Sequence, residues 1–197
     1  MSSVFSHLYY RRFDVAGRRA VFLDRDGVLS VEGGEYVTCA EKLRLLPGVG
    51  DSVARLNAAS YVVIVFTNQA GVGRGCMTQQ ALDEIHTRMK REIGDAGGVI
   101  EAIYACTHAP ESGCACRKPL PGMLLQAARE YDIDLTRSYA VGDSPRDIAA
   151  GHAAGCQTVL VLSGHTREYD AADFPAPQPD HVFPHLIAAT DWLTRPS

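Results

Sequence analysis

The chain lacks a long apolar run and lacks any excess of positive charge. Its 197 residues carry 19 lysines and arginines against 23 acidic residues, for a net charge of -4. Such a balance has no polycationic footprint, so no nucleic-acid partner is expected. No segment approaches the roughly 20 apolar residues that cross a bilayer. The opening stretch MSSVFSHLYYRRFDVAGRR also lacks the apolar centre of a secretory signal. A cytoplasmic protein without a membrane partner is therefore expected. Internal repeats and low-complexity tracts are missing too, which excludes solenoid architectures. Cysteine is present six times but not as a disulfide framework, because three crowd into CTHAPESGCAC while Cys39, Cys76 and Cys156 lie scattered. Clustering of that kind suggests metal more than disulfides.

What is present is an ordinary globular composition, 46% hydrophobic and 21% charged, at the length of one domain. We expect a single domain over residues 20–197 and an N-terminal extension over residues 1–19, as a monomer. Short β-branched runs recur: AVFLD (20–24), YVVIVF (61–66), VIEAIYAC (99–106), SYAVGD (138–143) and TVLVL (158–162). Runs of this type suit parallel strands buried on both faces. Helical patterns lie between them, at GVGDSVARLNAA after Pro47, from a Thr78 cap through residue 96, at PGMLLQAAREYDI, and at SPRDIAAGHAAG, which closes on glycine. HLIAATDWL reads as a final amphipathic helix, and the polar, proline-rich residues 166–181 as a surface connection. The alternation predicts an α/β fold with a doubly wound, Rossmann-like parallel sheet, its function lying beyond the carboxyl ends of the strands.

Two aspartates stand at such an end. In FLDRDGVLS, Asp24 and Asp26 are two positions apart, which on a continuing strand puts both on one face. GDSPRD adds Asp143 and Asp147 after another strand. Three or four converging carboxylates would repel one another and raise their own pKa values. A hard divalent cation such as Mg2+ makes the cluster tolerable. Aspartate and glycine are also common turn and cap residues, and the spacing alone leaves that alternative open. Two more strand ends carry polar groups: TNQAGVGRG offers Thr67, Asn68, Gln69 and Arg74, and CRKPLPG offers Arg117 and Lys118 ahead of a helix.

The cysteine cluster is a separate signal. Cys106, His108, Cys114 and Cys116 form C-x-H-x5-C-x-C, a soft donor set suited to tetrahedral Zn2+. Four protein ligands would close the site and give the ion a structural task, clamping residues 106–116 and fixing Arg117 and Lys118. A redox pair or free thiols are the alternatives, although a Cys114–Cys116 disulfide would close a small, strained ring. His86, His152 and His165 read as ordinary surface or half-buried histidines, and Cys76 and Cys156 as small packing residues.

Acid pair, threonine, lysine and second acid site, in that chain order, resemble the four motifs of the haloacid dehalogenase-like phosphatases, over roughly residues 20–195. The resemblance implies that Asp24 is a nucleophile toward phosphorus and Asp26 a general acid and then base. Mg2+ would be held by Asp24, the Asp26 carbonyl and Asp143. Thr67 and Lys118 would stabilise the transferring group, and Asp147 would orient Lys118 or the metal's waters. Arg25, Asn68, Gln69, Arg74, Arg117 and Ser144 are the implied substrate contacts. Ser30 stands where the family often has asparagine. No large cap domain is expected, so the crevice should be open to a small sugar phosphate. Within the family, a zinc loop ahead of R-K-P is similar to two groups, the phosphatases of heptose 1,7-bisphosphate, which serve lipopolysaccharide precursor synthesis, and those of histidinol phosphate. TNQAGVGRG and CRKPLPGML resemble the first more closely. A zinc-stabilised binding module without activity is the alternative of a different class.

Overall fold

Each apolar run becomes a strand of one six-stranded sheet: β1 (Ala20–Leu23), β2 (Val62–Asn68), β3 (Ala102–Cys106), β4 (Tyr139–Gly142), β5 (Gln157–Val161) and β6 (His181–Phe183). The computed structural model describes residues 17–34 and 36–195. Most of the expected extension, residues 1–16, lies outside that range. Strand order is β3-β2-β1-β4-β5-β6, and all neighbours run parallel. This is the doubly wound order predicted from the alternating pattern. The chain pairs with the domain a little ahead of residue 20, since the Arg18 N–H donates to Asp132 O at 2.7 Å and the Val62 N–H to Arg19 O at 2.9 Å.

Residue alternation along β1 divides the core in two. Val21 and Leu23 face one layer with Val63 and Val65, whereas Ala20 and Phe22 face the other with Ile64 and Phe66. The first layer is covered by α1 (Val49–Ala58), α3 (Gln79–Asp95) and α6 (Leu186–Leu193), the second by α4 (Gly122–Tyr131) and α5 (Pro145–Ala154). Helix α3 shows why the sequence folds this way. Leu82, Ile85, Met89 and Ile93 recur at helical spacing and are all buried. Thr78 caps the helix, its side chain accepting the Ala81 N–H at 3.1 Å, a contact typically worth ~1 kcal/mol.

Between β1 and α1 there is only a short 3-10 turn at Ala40–Lys42, and between β2 and α3 only the single-turn α2 (Ala70–Gly73). No cap domain is inserted among the described residues. Nor is any helix there long and apolar enough to cross a membrane.

Three features depart from the expectations. β3 is an edge strand and half-buried over four of its five residues, where burial on both faces was expected. Cys76 is exposed rather than packed. β6 falls just after the polar connection, with no apolar run to announce it. Its placement comes from Asp180, whose Oδ2 accepts the Thr158 N–H at 2.7 Å and the Thr158 hydroxyl at 2.8 Å. Replacement of Asp180 by alanine would orphan a buried donor, a loss of about 1–3 kcal/mol. Asp180→Ala is therefore expected to lower unfolding free energy by that amount in urea titrations, with magnesium affinity unchanged.

Candidate active site

Strands β1 and β4 are neighbours in space, but the chain leaves them in opposite directions across the sheet. That switch point opens a crevice at the carboxyl ends of the strands. A cavity of about 640 Å³ lies there, and Asp24, Thr67, Lys118 and Asp143 are among the residues on its floor and walls.

Lys118 is the centre of the floor. It is 3% exposed, and its ammonium lies 2.8 Å from Asp24 Oδ2, 2.5 Å from Asp147 Oδ1 and 3.2 Å from the carbonyl oxygen of Phe66. The three protons of the ammonium thus have three acceptors. Burial opposes its charge, but Asp147 and Asp24 outweigh burial and hold the lysine above its ordinary pKa. Asp147 is held in turn by the N-terminus of α5, its Oδ2 accepting the Ser144 N–H at 3.0 Å and the Ser144 hydroxyl at 2.6 Å. Burial would raise Asp147, yet Lys118 and Ser144 keep its carboxyl below the usual range.

Asp24 and Asp143 go the other way. Burial pushes Asp24 up to about 8, with Asp147 and Asp143 adding to the rise and Lys118 opposing it. Burial, with Asp147, lifts Asp143 to about 7, against the His165 N–H. Carboxylate oxygens of Asp24, Asp143 and Asp147 lie within 4.8 Å of one another. Asp147 has both oxygens engaged, and Asp24 meets the Arg25 N–H at 2.7 Å through Oδ1 and Lys118 at 2.8 Å through Oδ2, so among the described residues Asp143 Oδ1 is the oxygen without a protein partner and an ion would share Asp24 with these donors. A buried pair of strained carboxyls with few remaining partners fits a hard cation that takes one or two carboxylates and keeps waters.

Asp26 has a different environment. The Arg25 guanidinium grips it with two nitrogens, at 3.0 and 2.7 Å. Gln69 Nε2 donates to it at 3.0 Å and the Ser30 hydroxyl at 3.0 Å. Burial would raise its pKa, but Arg25 and these donors hold it below the usual carboxylate value. Gln69 also donates to Thr67 Oγ1 at 2.8 Å. The Thr67 hydroxyl therefore receives one hydrogen bond and keeps its own proton to donate.

Four of the expected substrate residues also hold their neighbours. Arg25, Asn68, Gln69 and Ser144 line the crevice, and each also makes side-chain hydrogen bonds to protein partners, while Arg25 Nη1 is buried without one. Arg25 is 1% exposed and Gln69 2%. Asn68 bridges Lys118 through its backbone, accepting the N–H at 3.1 Å and donating to the carbonyl at 3.1 Å. They position Asp26, Thr67, Lys118 and Asp147.

The cysteine cluster stands behind Lys118. Cys114 Sγ lies 3.5 Å from both Cys106 Sγ and Cys116 Sγ, and His108 Nδ1 lies 3.7 Å from Cys106 Sγ and 3.3 Å from Cys116 Sγ. A tetrahedron with zinc–sulfur bonds of 2.3 Å has edges of about 3.8 Å, so the four atoms fit that ion with small adjustments. Despite burial, hydrogen bonds with Cys116, Cys106 and Ser112 bring Cys114 down to about 6, while burial, with Cys106 and Cys114, drives Cys116 up to about 12. Zinc would replace the protons these sulfurs now share. The loop is also tied to β2, because the Gln69 N–H donates to Cys106 O at 2.7 Å and the Gly73 N–H to Thr107 O at 2.9 Å.

The outer wall carries the freer groups. Arg74 is exposed and donates to the Tyr36 hydroxyl at 3.0 Å. Arg117 has a buried Nη1 without a partner. Both expected residues border the crevice, and so do Arg146, Tyr36, Lys42 and His165, which the sequence did not single out for the site. Arg146 could have been suspected, since it lies within SPRD beside Ser144 and Asp147. A second hollow of about 540 Å³ under the zinc loop shares Tyr36, Arg74, Arg117 and Arg146 with the first.

Two predictions follow from the ionisation and the clustered thiols. A carboxyl raised in the folded state binds its proton there when the unfolded chain has lost it. Its contribution to stability therefore falls as pH rises from about 4 through the folded values near 8 and 7. Magnesium relieves that loss, so its addition should raise the melting temperature more at pH 8.5 than at pH 6 in differential scanning fluorimetry. Cys114→Ser should lower zinc content by elemental analysis and lower the melting temperature with it, and excess magnesium should restore neither.

Comparison with known proteins gives this arrangement its context. Residues 115–189 match the model of the HAD-hydrolase-like family. The D-glycero-β-D-manno-heptose-1,7-bisphosphate 7-phosphatase of Bordetella bronchiseptica is 41% identical over 177 residues, 90% of this chain and 98% of that one. The enzyme of the same name from Pseudomonas aeruginosa is 36% identical, covering 90% and 99%. The B. bronchiseptica D,D-heptose 1,7-bisphosphate phosphatase, crystallised with magnesium and phosphate, superimposes with a TM-score of 0.82 over 89% of this chain and 97% of that one at 41% identity. With an acid pair, threonine, lysine and second acid site gathered at one switch point, the chain belongs to the family of the heptose-1,7-bisphosphate 7-phosphatases among the haloacid dehalogenase-like hydrolases.

Proposed function

We propose that the chain is a phosphomonoesterase that removes the C7 phosphate of D-glycero-β-D-manno-heptose 1,7-bisphosphate. The observation that carries this reading is the contact of Lys118 with Asp24 at 2.8 Å, beside a carboxylate cluster and under a wall of arginines. An oxygen of Asp24 attacks phosphorus, the bond from phosphorus to O7 breaks, and Asp26 gives the departing O7 its proton. Asp26 then takes a proton from water as that water attacks phosphorus, and the bond to Asp24 breaks to release phosphate. Arg25 keeps Asp26 ionised for the second step. For the first step Asp26 must carry a proton, which the two negative charges of an arriving phosphate favour.

Mg2+ held by Asp24, Asp143 and the Asp26 carbonyl supplies charge neutralisation between nucleophile and phosphate. Thr67 donates its free proton to a phosphoryl oxygen. Lys118 balances charge on Asp24 and on the transferring group, with Asp147 fixing its direction. Cys106, His108, Cys114 and Cys116 would hold Zn2+, which would have the structural task of fixing the loop from which Arg117 and Lys118 project.

Substrate identity rests on the outer wall. Arg74, Arg117 and Arg146 line the crevice, where Glu32 is the one lining carboxylate besides Asp24, Asp26, Asp143 and Asp147. Three guanidiniums suit a second phosphate, whereas histidinol phosphate would present an ammonium to them. A sugar carrying two ionised phosphates does not cross a bilayer, so substrate and enzyme share a compartment, which we place in the cytoplasm, with the enzyme as a monomer.

The test is a steady-state comparison of heptose 1,7-bisphosphate anomers, histidinol phosphate and fructose 1,6-bisphosphate. The β heptose bisphosphate should have the highest kcat/KM and yield one phosphate and heptose 1-phosphate. Asp24→Asn should lower its turnover by a factor of about 1,000 or more, roughly 4 kcal/mol in barrier. A higher kcat/KM for histidinol phosphate would replace the substrate, and an Asp24→Asn variant keeping a tenth of the activity would remove the covalent step.

A further inference from the structure

We propose that the turn Ser163–Thr166, which follows β5, is a positioning element of the magnesium site, holding the carboxylate of Asp143 in register with the peptide that follows Asp26. The inference rests on the reading of Asp143 and the Asp26 carbonyl as magnesium ligands. No motif of the family reading reaches this turn, and His165 within it reads from sequence as an ordinary histidine.

Its contacts converge on the ligands from outside. The His165 N–H donates to Asp143 Oδ2 at 2.6 Å, and the Thr166 N–H to the Asp143 carbonyl at 3.0 Å. Asp143 is thus held at its side chain and at its backbone by successive residues. The Ser163 hydroxyl donates to the carbonyl of Gly27 at 2.6 Å, across 136 positions of sequence. Gly27 directly follows Asp26, so one turn ties the end of β4 to the loop after β1.

Steric fit is equally specific. A Cβ at Gly164 would lie 2.0 Å from Asp143 Oδ2 and 2.5 Å from the Gly27 Cα. A Cβ at Gly27 would also lie 2.0 Å from Asp143 Oδ2. The carboxylate therefore occupies a slot between two glycines, with Oδ2 tied to His165 and Oδ1 left for a cation. Gly27 has a φ of +80°, which alone favours glycine there, whereas Gly164 has no positive φ. Space, rather than backbone conformation, excludes a side chain at residue 164. Charge-assisted hydrogen bonds of this kind are strong and directional, and outer partners of metal-ligating carboxylates commonly control affinity.

A turn that served only packing would move stability without moving metal affinity. The experiment is a Mn2+ titration of the magnesium-free, zinc-loaded full chain, reading free Mn2+ by electron paramagnetic resonance, with melting curves in the same buffer. Mn2+ accepts the same oxygen donors as Mg2+. Wild type should bind one ion, Gly164→Ala about 10- to 100-fold more weakly, the usual range for such partners. Ser163→Ala, which removes one hydroxyl and adds no bulk, should bind several-fold more weakly and melt as a folded protein; it decides the matter if Gly164→Ala does not fold. Wild-type affinity in folded variants would overturn the role of the turn while leaving the magnesium reading intact. Failure of the wild type itself to bind Mn2+ would overturn both.

Discussion

The ammonium of Lys118 is the constraint around which the rest of the site is arranged. It is buried against two carboxylates, one carbonyl and the face of the Phe66 ring, 4.6 Å from the ring centroid. Taking such charges out of water is costly, and they persist only when every partner is fixed. The fold meets that demand from three directions. Asn68 clasps the Lys118 backbone, the N-terminus of α5 clasps Asp147, and the cysteine and histidine loop leads directly into Arg117 and Lys118. The zinc-type cluster is in this sense an electrostatic device, although its own chemistry is silent.

Around that floor the two aspartates of the first motif are driven apart in ionisation. Burial, with the neighbouring carboxylates adding to it, pushes Asp24 up to about 8, and Asp26 faces Arg25 and is held down. Two carboxyls two residues apart thereby differ in ionisation, which is the condition for a nucleophile and an acid–base group to work side by side. A cation resolves the repulsion around Asp24 at the same point where substrate phosphate would bring more negative charge. Metal binding would therefore lower the energy of a site that is strained without it.

Much of this was legible in the residues. Short β-branched runs and 3.6-residue spacing determined five of the six strands and the helices that cover them, because burial on a sheet face or helix stripe imposes those periods. Donor type and spacing alone marked out the four zinc-type ligands, since they lie within eleven residues of one another. The order of acid pair, threonine, lysine and second acid pair likewise marked the crevice.

Tertiary structure decided the rest. Which neighbours Arg25, Asn68, Gln69 and Ser144 hold depends on which way each side chain turns, and that is set by partners as far as 50 positions away, as between Asn68 and Lys118. β6 has three half-buried residues and too little apolar character to declare itself; Asp180 places it through Thr158. Arg146 and His165 enter the crevice only because α5 starts, and β5 ends, at the same edge of the sheet. Local patterns reveal what a segment can bury or ligate. Which segments meet is decided by packing between residues that the sequence keeps far apart, as the 136 positions between Gly27 and Ser163 illustrate.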